Sequence, residues 1–295
     1  MSTVLFDTPG PKARVRHRIY AVLGALVVAA LIAFVIYRFV DTGQFTARKW
    51  EWLQYSQVQS DLASAILATV KAFAFGAVLA IVFGAIFAAG RLSDHAWVRG
   101  ICTFVVEFFR AIPLLILMFL FYYGLPTLGV ETSPLFAVVA GLTLYNGSVL
   151  AEVFRAGILS LPKGQSEAAY ALGMRKTQVM FTVLLPQALR AMLPTIISQL
   201  VVLLKDTALG FLVTYPELLY YARYIGGQGD FGRPLVPSTL VAAAIYIAMC
   251  LLLTALATYL ERRNRRSKKH IDTDDGATMA GLGTTATGGM ATGPA

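Results

Sequence analysis

Residues 62–90 read LASAILATVKAFAFGAVLAIVFGAIFAAG, and this stretch determines the fold class of the chain. It contains one charged residue, Lys71, and no proline. At ~1.5 Å per residue a helix of this length is longer than the ~30 Å hydrocarbon core of a bilayer. Apolar residues occupy every face rather than one helical stripe, so the stretch predicts a helix that spans a membrane.

Further apolar blocks give six candidate spans along the chain. They cover about residues 20–40, 62–90, 97–124, 134–151, 181–204 and 238–260. Of the 295 residues 57% are hydrophobic and 14% are charged, against roughly 25% charged in soluble domains. These values argue against a soluble globular enzyme. We therefore predict an all-α polytopic membrane protein, in which the apolar segment 208–219 is too short to cross and is re-entrant or interfacial.

The first apolar block resembles a signal peptide in position only. It is longer than the ~7–15 residues of a signal-peptide core, and no small-residue cleavage site follows it. We therefore expect a retained transmembrane helix.

The distribution of Lys and Arg predicts the orientation. The N-terminal arm, the connections around Arg91 and at 155–176, and the segment after the last span carry sixteen of these residues. The loops expected on the opposite side carry four: Arg48, Lys49, Arg223 and Arg233. Because basic loops stay in the cytoplasm, both termini are predicted to be cytoplasmic in a cell (plasma) membrane.

The sequence contains no pattern for a metal site or a catalytic centre. Cys102 and Cys250 lie alone in apolar stretches, and His17, His95 and His270 are isolated. The phosphate-binding pattern GxxxxGK[ST] is also absent. We predict no metal, no cofactor and no catalytic residue on this chain, so ATP, if it is used, must be bound by another polypeptide.

The connection between the fourth and fifth spans is too polar for lipid. Pro162 is compatible with the start of a helix, and Ser166 can cap that start. Gly173 can end the helix in left-handed backbone, and Thr177 can cap the next helix. A helix of about two turns is unstable alone and requires a partner surface. This surface is either another protein, which small Ala side chains allow to approach closely, or the membrane itself.

This connection resembles the EAA loop of ABC importer permeases, with the spacing of the loop intact. The matching residues are Glu167, Ala168 and Ala169, then Gly173, then Pro186 at the end of 183–186 (VLLP). Four further segments resemble the polar amino acid uptake branch of that family. They are FRAIPLL at 109–115, AEVFRAGI at 151–158, LPQALR at 185–190 and KDTAL at 205–209. The resemblance covers about residues 60–262.

The resemblance implies a permease core of five helices at 62–262, with the EAA loop at 160–186 docked on a nucleotide-binding ATPase subunit. That subunit would hold ATP and Mg. It also implies a second permease subunit, identical or related, and an extracytoplasmic amino-acid-binding protein. Residues 19–61 are then an additional transmembrane helix and outer loop, between a basic arm at 1–18 and a basic, then disordered, tail at 263–295. The additional helix and the tail look most like those of glutamate-type permeases of high-GC Gram-positive bacteria.

Two groups of polar residues inside the spans are candidates for the substrate path. Glu107 and Arg110 are three residues apart and share a helix face, and Pro113 can break the helix after them. The pair lies on the substrate path or holds a helix end at the interface.

The second group lies in the fourth and fifth spans. Thr143, Asn146 and Ser148 offer neutral hydrogen-bonding groups for a zwitterion, or they join helices. Lys205 and Asp206 end the fifth span and either line the path or anchor the helix at the interface.

A secondary transporter or channel that works without an ATPase is the alternative function. Such proteins often contain two similar halves, and the sequence shows none. The EAA spacing also has no role in them, so an ATP-driven amino acid importer is the preferred interpretation.

Overall fold

The structure is a computed structural model that describes residues 10–266, with the side chains of Pro11 and of residues 260–266 excepted. The described part is helical and contains no strand. The helices are α1 (Pro11–Asp41), α2 (Ser56–Arg91), α3 (Ala96–Ala111), α4 (Leu114–Phe119), α5 (Leu125–Thr127), α6 (Pro134–Leu159), α7 (Lys163–Ala171), α8 (Lys176–Gln178), α9 (Leu185–Asp206), α10 (Leu218–Gly226) and α11 (Leu235–Arg266). The tail prediction for residues 267–295 lies outside the described residues.

Five helical runs in the described part are long and apolar enough to cross a membrane. They are Lys12–Asp41, Ser56–Arg91, Pro134–Leu159, Lys176–Val213 and Leu235–Tyr259. A sixth is obtained if α3 and the segment Leu114–Thr127 count as one broken span. The all-α polytopic fold and the N-terminal transmembrane helix are thus confirmed.

The third span is not the single straight helix predicted for 97–124. Its two parts, Ala96–Ala111 and Leu114–Thr127, are bent by 96° at a short break. Ile112 is extended there, with φ −88° and ψ 127°, because the ring of Pro113 disfavours helical backbone in the preceding residue. The break at Pro113 confirms that proline's predicted effect, and it gives the pair Glu107–Arg110 a helix end.

Two π-helical turns also precede prolines. They are Leu120–Gly124, before Pro126, and Val179–Leu184, before Pro186. A proline cannot donate to the carbonyl four residues earlier, and its ring clashes with that carbonyl. The wider π turn accommodates this missing hydrogen bond without ending the helix. Such turns are expected where the backbone hydrogen bonding of a helix is interrupted.

The segment 208–219 forms no crossing of its own. A 3₁₀ turn, Thr207–Val213, continues α9, and Thr214 then adopts left-handed backbone with φ 56°. Helix α10 begins at Leu218, where the Glu217 carboxylate accepts from the backbone N–H groups of Leu219 and Tyr220 at 2.7 Å each.

The described chain divides into two compact units. One comprises the residues up to Ala68 together with Pro216–Ala244, and it contains α1 and α10. The other comprises Thr69–Tyr215 together with the chain from Ile245 onward. In this larger unit α6 packs against α3, α4 and α9, and it supplies many of the buried residues.

Candidate coupling and substrate sites

The predicted docking helix is α7, Lys163–Ala171, which begins one residue after Pro162 as expected. Ser166 does not cap it, because the helix starts earlier and the Ser166 hydroxyl donates instead to the Lys163 carbonyl at 2.8 Å. Thr177 is not a cap either, since it lies inside α8. There the Gln178 side chain accepts from the Arg175 N–H at 2.8 Å, which makes Arg175 the residue before the helix.

Gly173 ends α7 in left-handed backbone with φ 78°, as predicted. The Gly173 N–H donates to the Tyr170 carbonyl at 2.9 Å, and the Met174 N–H to the Ala169 carbonyl at 3.2 Å. These two bonds form a Schellman motif, which uses two of the carbonyls that the helix end leaves without partners. A side chain at residue 173 would find open space, so glycine is favoured here by backbone conformation alone.

One face of α7 is packed and the other is open. Ala169 is buried against the π turn Val179–Leu184, whereas Glu167 and Ala168 are exposed. Leu172 exposes 83% of its surface, although it follows a polar helix. Pro186 is exposed as the second residue of α9. The open face thus combines an acid, a small residue and a large apolar residue.

A buried polar cluster joins α6 and α9. Gln199 donates to the Asn146 side-chain oxygen at 2.7 Å, and the Asn146 amide donates to an Asp206 carboxylate oxygen at 3.2 Å. Asn146 is completely buried and Asp206 half-buried. Among the described residues no Lys or Arg forms an ion pair with Asp206. The cluster therefore places an acid without a cationic partner inside a membrane-spanning helix.

The other predicted path residues lie apart from this cluster. Ser148 is buried, and its hydroxyl has no partner among the described residues. The Thr143 hydroxyl is likewise buried without a described partner. Lys205 is exposed, although its neighbour Asp206 faces Asn146. The structure thus brings Asn146 and Asp206 together and leaves Thr143, Ser148 and Lys205 outside the cluster.

Gly147 is important for packing within this region. A methyl group at Gly147 would lie 2.8 Å from the ring of Phe83 and 3.2 Å from the Ala80 carbonyl oxygen, so the glycine permits close contact with α2. The close approach at Gly147 therefore serves contact between helices.

Glu107 and Arg110 form the predicted ion pair, at 3.2 Å in the last turn of α3. Arg91, at the end of α2, lies 3.3 Å from Glu107 and 3.0 Å from Glu152 of α6, with 8% of its side chain exposed. Arg155 adds a 2.7 Å pair with Glu152. Three arginines and two glutamates thus connect the ends of three helices. These contacts of Arg91, Glu152 and Gln199 were not predicted from the sequence. Only the i, i+3 spacing of Glu152 and Arg155 gives a local signal for any of them.

The chain matches known proteins over this same region. The family model described as "Binding-protein-dependent transport system inner membrane component" matches residues 80–266. The glutamate transport system permease protein GluD of Corynebacterium glutamicum is 42% identical over 78% of this chain and 85% of its own length. The probable glutamine ABC transporter permease protein GlnP of Bacillus subtilis is 37% identical over 63% of this chain and 85% of its own.

A solved structure shows the same fold. A chain of the crystal structure described as an amino acid ABC transporter with histidines matches with a TM-score of 0.65 and 28% identity, over 72% of this chain and 98% of that one. The fold and these matches define the class: an integral membrane permease, not a catalytic subunit. The chain belongs to the family of binding-protein-dependent transport system inner membrane components and, within it, to the amino acid ABC transporter permeases.

Proposed function

We propose that this chain forms the translocation path of an ATP-driven importer for a polar amino acid, with glutamate as the first substrate to test. The identity to a glutamate transport system permease supports the substrate class. The observation that carries the proposal is the buried cluster Gln199–Asn146–Asp206, which puts hydrogen-bonding groups and one carboxylate between two spans.

The chemistry of the cluster suits an amino acid. In our proposal the Asp206 carboxylate, which lacks a cationic partner among the described residues, receives the α-ammonium group of the substrate. The Asn146 amide orients that carboxylate, and Gln199 orients the amide. The exposed ammonium of Lys205 is available for a carboxylate of the substrate. The roles of Thr143, Ser148, Glu107 and Arg110 on the path stay predictions.

The partners follow from the class of protein. We propose an ATPase subunit docked on the open face of α7, a second permease subunit, and an extracytoplasmic binding protein. ATP and Mg would reside on the ATPase subunit. Closure of the ATPase pair would push α7, and the π turn against which Ala169 packs would pass that movement to α9.

Uptake and co-purification test the proposal together. Membrane vesicles that contain the assembled transporter should accumulate labelled glutamate only with ATP. Unlabelled glutamate and aspartate should compete better than glutamine, arginine or histidine. Uptake that persists without ATP, in a preparation that retains no nucleotide-binding subunit, would contradict the proposal.

The orientation is a separate proposal, with both termini cytoplasmic and residues 41–61 outside. A cysteine at Gln57, in a protein that lacks Cys102 and Cys250, should react with an impermeant reagent added from the extracytoplasmic side. Reaction only from the cytoplasmic side would reverse the topology.

A further inference from the structure

A cavity of about 410 Å³ lies in the smaller unit, between the first turns of α2 and helix α10. Its lining includes no residue of the Asn146 cluster and none of the residues predicted for the substrate path. Its lining residues are Asp61, Ser64, Ala65, Ala68, Pro216, Tyr220, Tyr221 and Tyr224. Three tyrosines and one carboxylate in a single cavity form an aromatic surface with a negative charge.

The aromatic part of the cavity is held in place. The Tyr221 hydroxyl donates to the Val58 carbonyl at 3.2 Å, which joins α10 to the start of α2. The rings of Tyr221 and Tyr224 are nearly parallel, with centroids 6.2 Å apart and an interplanar angle of 28°. A cation that rests against both rings is within the ~6 Å range over which ring quadrupoles attract positive charge.

The charge of the cavity is not balanced by the described protein. Asp61 receives one hydrogen bond, from the Gln57 side chain at 2.9 Å to Oδ1, and no described Lys or Arg forms an ion pair with it. Burial, followed by the nearby Asp61 charge, raises the pKa of Tyr221 to about 12. The second oxygen of Asp61 accepts no side-chain hydrogen bond from the described residues and is available to a ligand.

We propose that this cavity binds an organic ammonium group, which lies on the faces of the tyrosines and pairs with Asp61. Tyrosine faces and a carboxylate are the groups that recognise alkylammonium ligands, since both attract positive charge while the ring surfaces remove the carbon atoms from water. A neutral ligand lacks the charge–charge attraction to the carboxylate, and an anion is repelled by it. The ammonium comes from the headgroup of a membrane lipid or from a soluble compound.

Choline and its uncharged isostere, 3,3-dimethyl-1-butanol, test the charge requirement on the assembled transporter. Saturation-transfer NMR in detergent should show choline bound with an affinity about tenfold or more above that of the isostere. Equal binding of the two compounds, or no binding of choline, would overturn the proposal. This comparison uses the unmodified protein and so does not depend on the folding of a variant.

Variants then assign the binding to this cavity. Tyr224→Leu and Asp61→Asn should each weaken choline binding about tenfold, because each removes one of the two attractions. Tyr20→Leu in α1 is the matched control, since Tyr20 is also an exposed tyrosine and does not line the cavity. Unchanged choline affinity in both cavity variants would refute the assignment, provided that glutamate uptake shows that the variants are assembled.

Reconstitution identifies the source of the ammonium. If the ligand is a lipid, vesicles that contain phosphatidylethanolamine should displace choline, whereas vesicles of phosphatidylglycerol alone should not. If the ligand is soluble, choline binding should be the same in both. Either pattern supports an ammonium site, and stronger displacement by phosphatidylglycerol would overturn it.

Discussion

The predicted docking helix α7 and the buried cluster on α6 and α9 show two ways in which a sequence encodes a candidate site. In α7 the determining contacts are local: Gly173 and Met174 bond to carbonyls three and five residues earlier. In the cluster the partners of Asn146 are Gln199 and Asp206, which are 53 and 60 residues away. The first site is therefore visible as a spacing pattern, whereas the second requires the packing of two helices.

The two sites also differ in what a substitution disturbs. The end of α7 lies at the surface, and a side chain at residue 173 would meet open space. A change there affects backbone conformation and the exposed face of α7, not the core. Asn146 is completely buried, so a change there alters both helix packing and any bound substrate. A substitution at Gly173 should therefore lower transport with little loss of stability, whereas a substitution at Asn146 should affect both.

The largest effect is expected for Gly173→Val. A β-branched residue at φ 78° costs roughly 1–2 kcal/mol, and relief of this strain would unwind the Schellman end and move the predicted docking face. Substrate uptake should fall about tenfold or more, while the permease remains in the membrane at normal levels. The measurements are uptake and substrate-stimulated ATP hydrolysis in vesicles.

Gly164→Val is the matched control for that variant. Gly164 lies in the first turn of the same helix, a side chain there also meets open space, and its φ is not positive. It should retain most of the uptake. Equal losses in the two variants would show that added bulk, and not the left-handed end of α7, impairs docking.

A second large effect is expected for Asn146→Leu. The substitution leaves Gln199 and Asp206 without their described side-chain partner, and an unsatisfied buried polar group costs about 1–3 kcal/mol. If the cluster binds substrate, uptake should fall about tenfold, and the ranking of competing amino acids should change. A lower melting temperature with the ranking unchanged would instead assign Asn146 to helix packing alone.

Ser148→Ala is the control for the buried cluster. Ser148 is as buried as Asn146, two residues away in α6, but its hydroxyl has no described partner. If Ser148 only joins helices, uptake and competition should remain near those of the unmodified protein. A change of ranking in Ser148→Ala would place this hydroxyl on the path as well.

The same contrast explains how much of the molecule the sequence predicted. Apolar block length predicted the helical membrane fold, the N-terminal span and the missing crossing at 208–219, because these depend on local composition. The 96° bend was not predicted in size, although Pro113 marked its place. Gln199 and Arg91 were missed since their partners are distant in sequence, and an isolated Gln or Arg carries no local signal.

Arg91 provides an intermediate case, because it combines burial with several distant partners. Arg91→Met removes the cation between Glu107 and Glu152 and leaves two carboxylates with fewer counter-charges. The transporter should lose about 1–3 kcal/mol of stability, measured as a lower melting temperature in detergent. Arg91→Lys should recover part of the lost stability. If Arg91→Met is instead as stable as the unmodified protein, the network contributes nothing to stability.

The smallest effect is expected at Asp94, in the connection between α2 and α3. Asp94 forms an exposed ion pair with Lys176, at the start of α8. The hydrogen bond from Lys176, and then its charge, lowers the pKa of Asp94 below its ordinary value of 3.8. The pair therefore contributes any stability above about pH 4, and this contribution is lost as the pH falls through the lowered pKa. Asp94→Asn should change uptake by less than about twofold at pH 7, because exposed pairs are weak and screened by salt. Its small difference in melting temperature from the unmodified protein should decrease below pH 4.

A difference in melting temperature that grows at low pH would contradict the predicted sign. A large loss of uptake at pH 7 would show that the α2–α3 connection helps to position the start of α8.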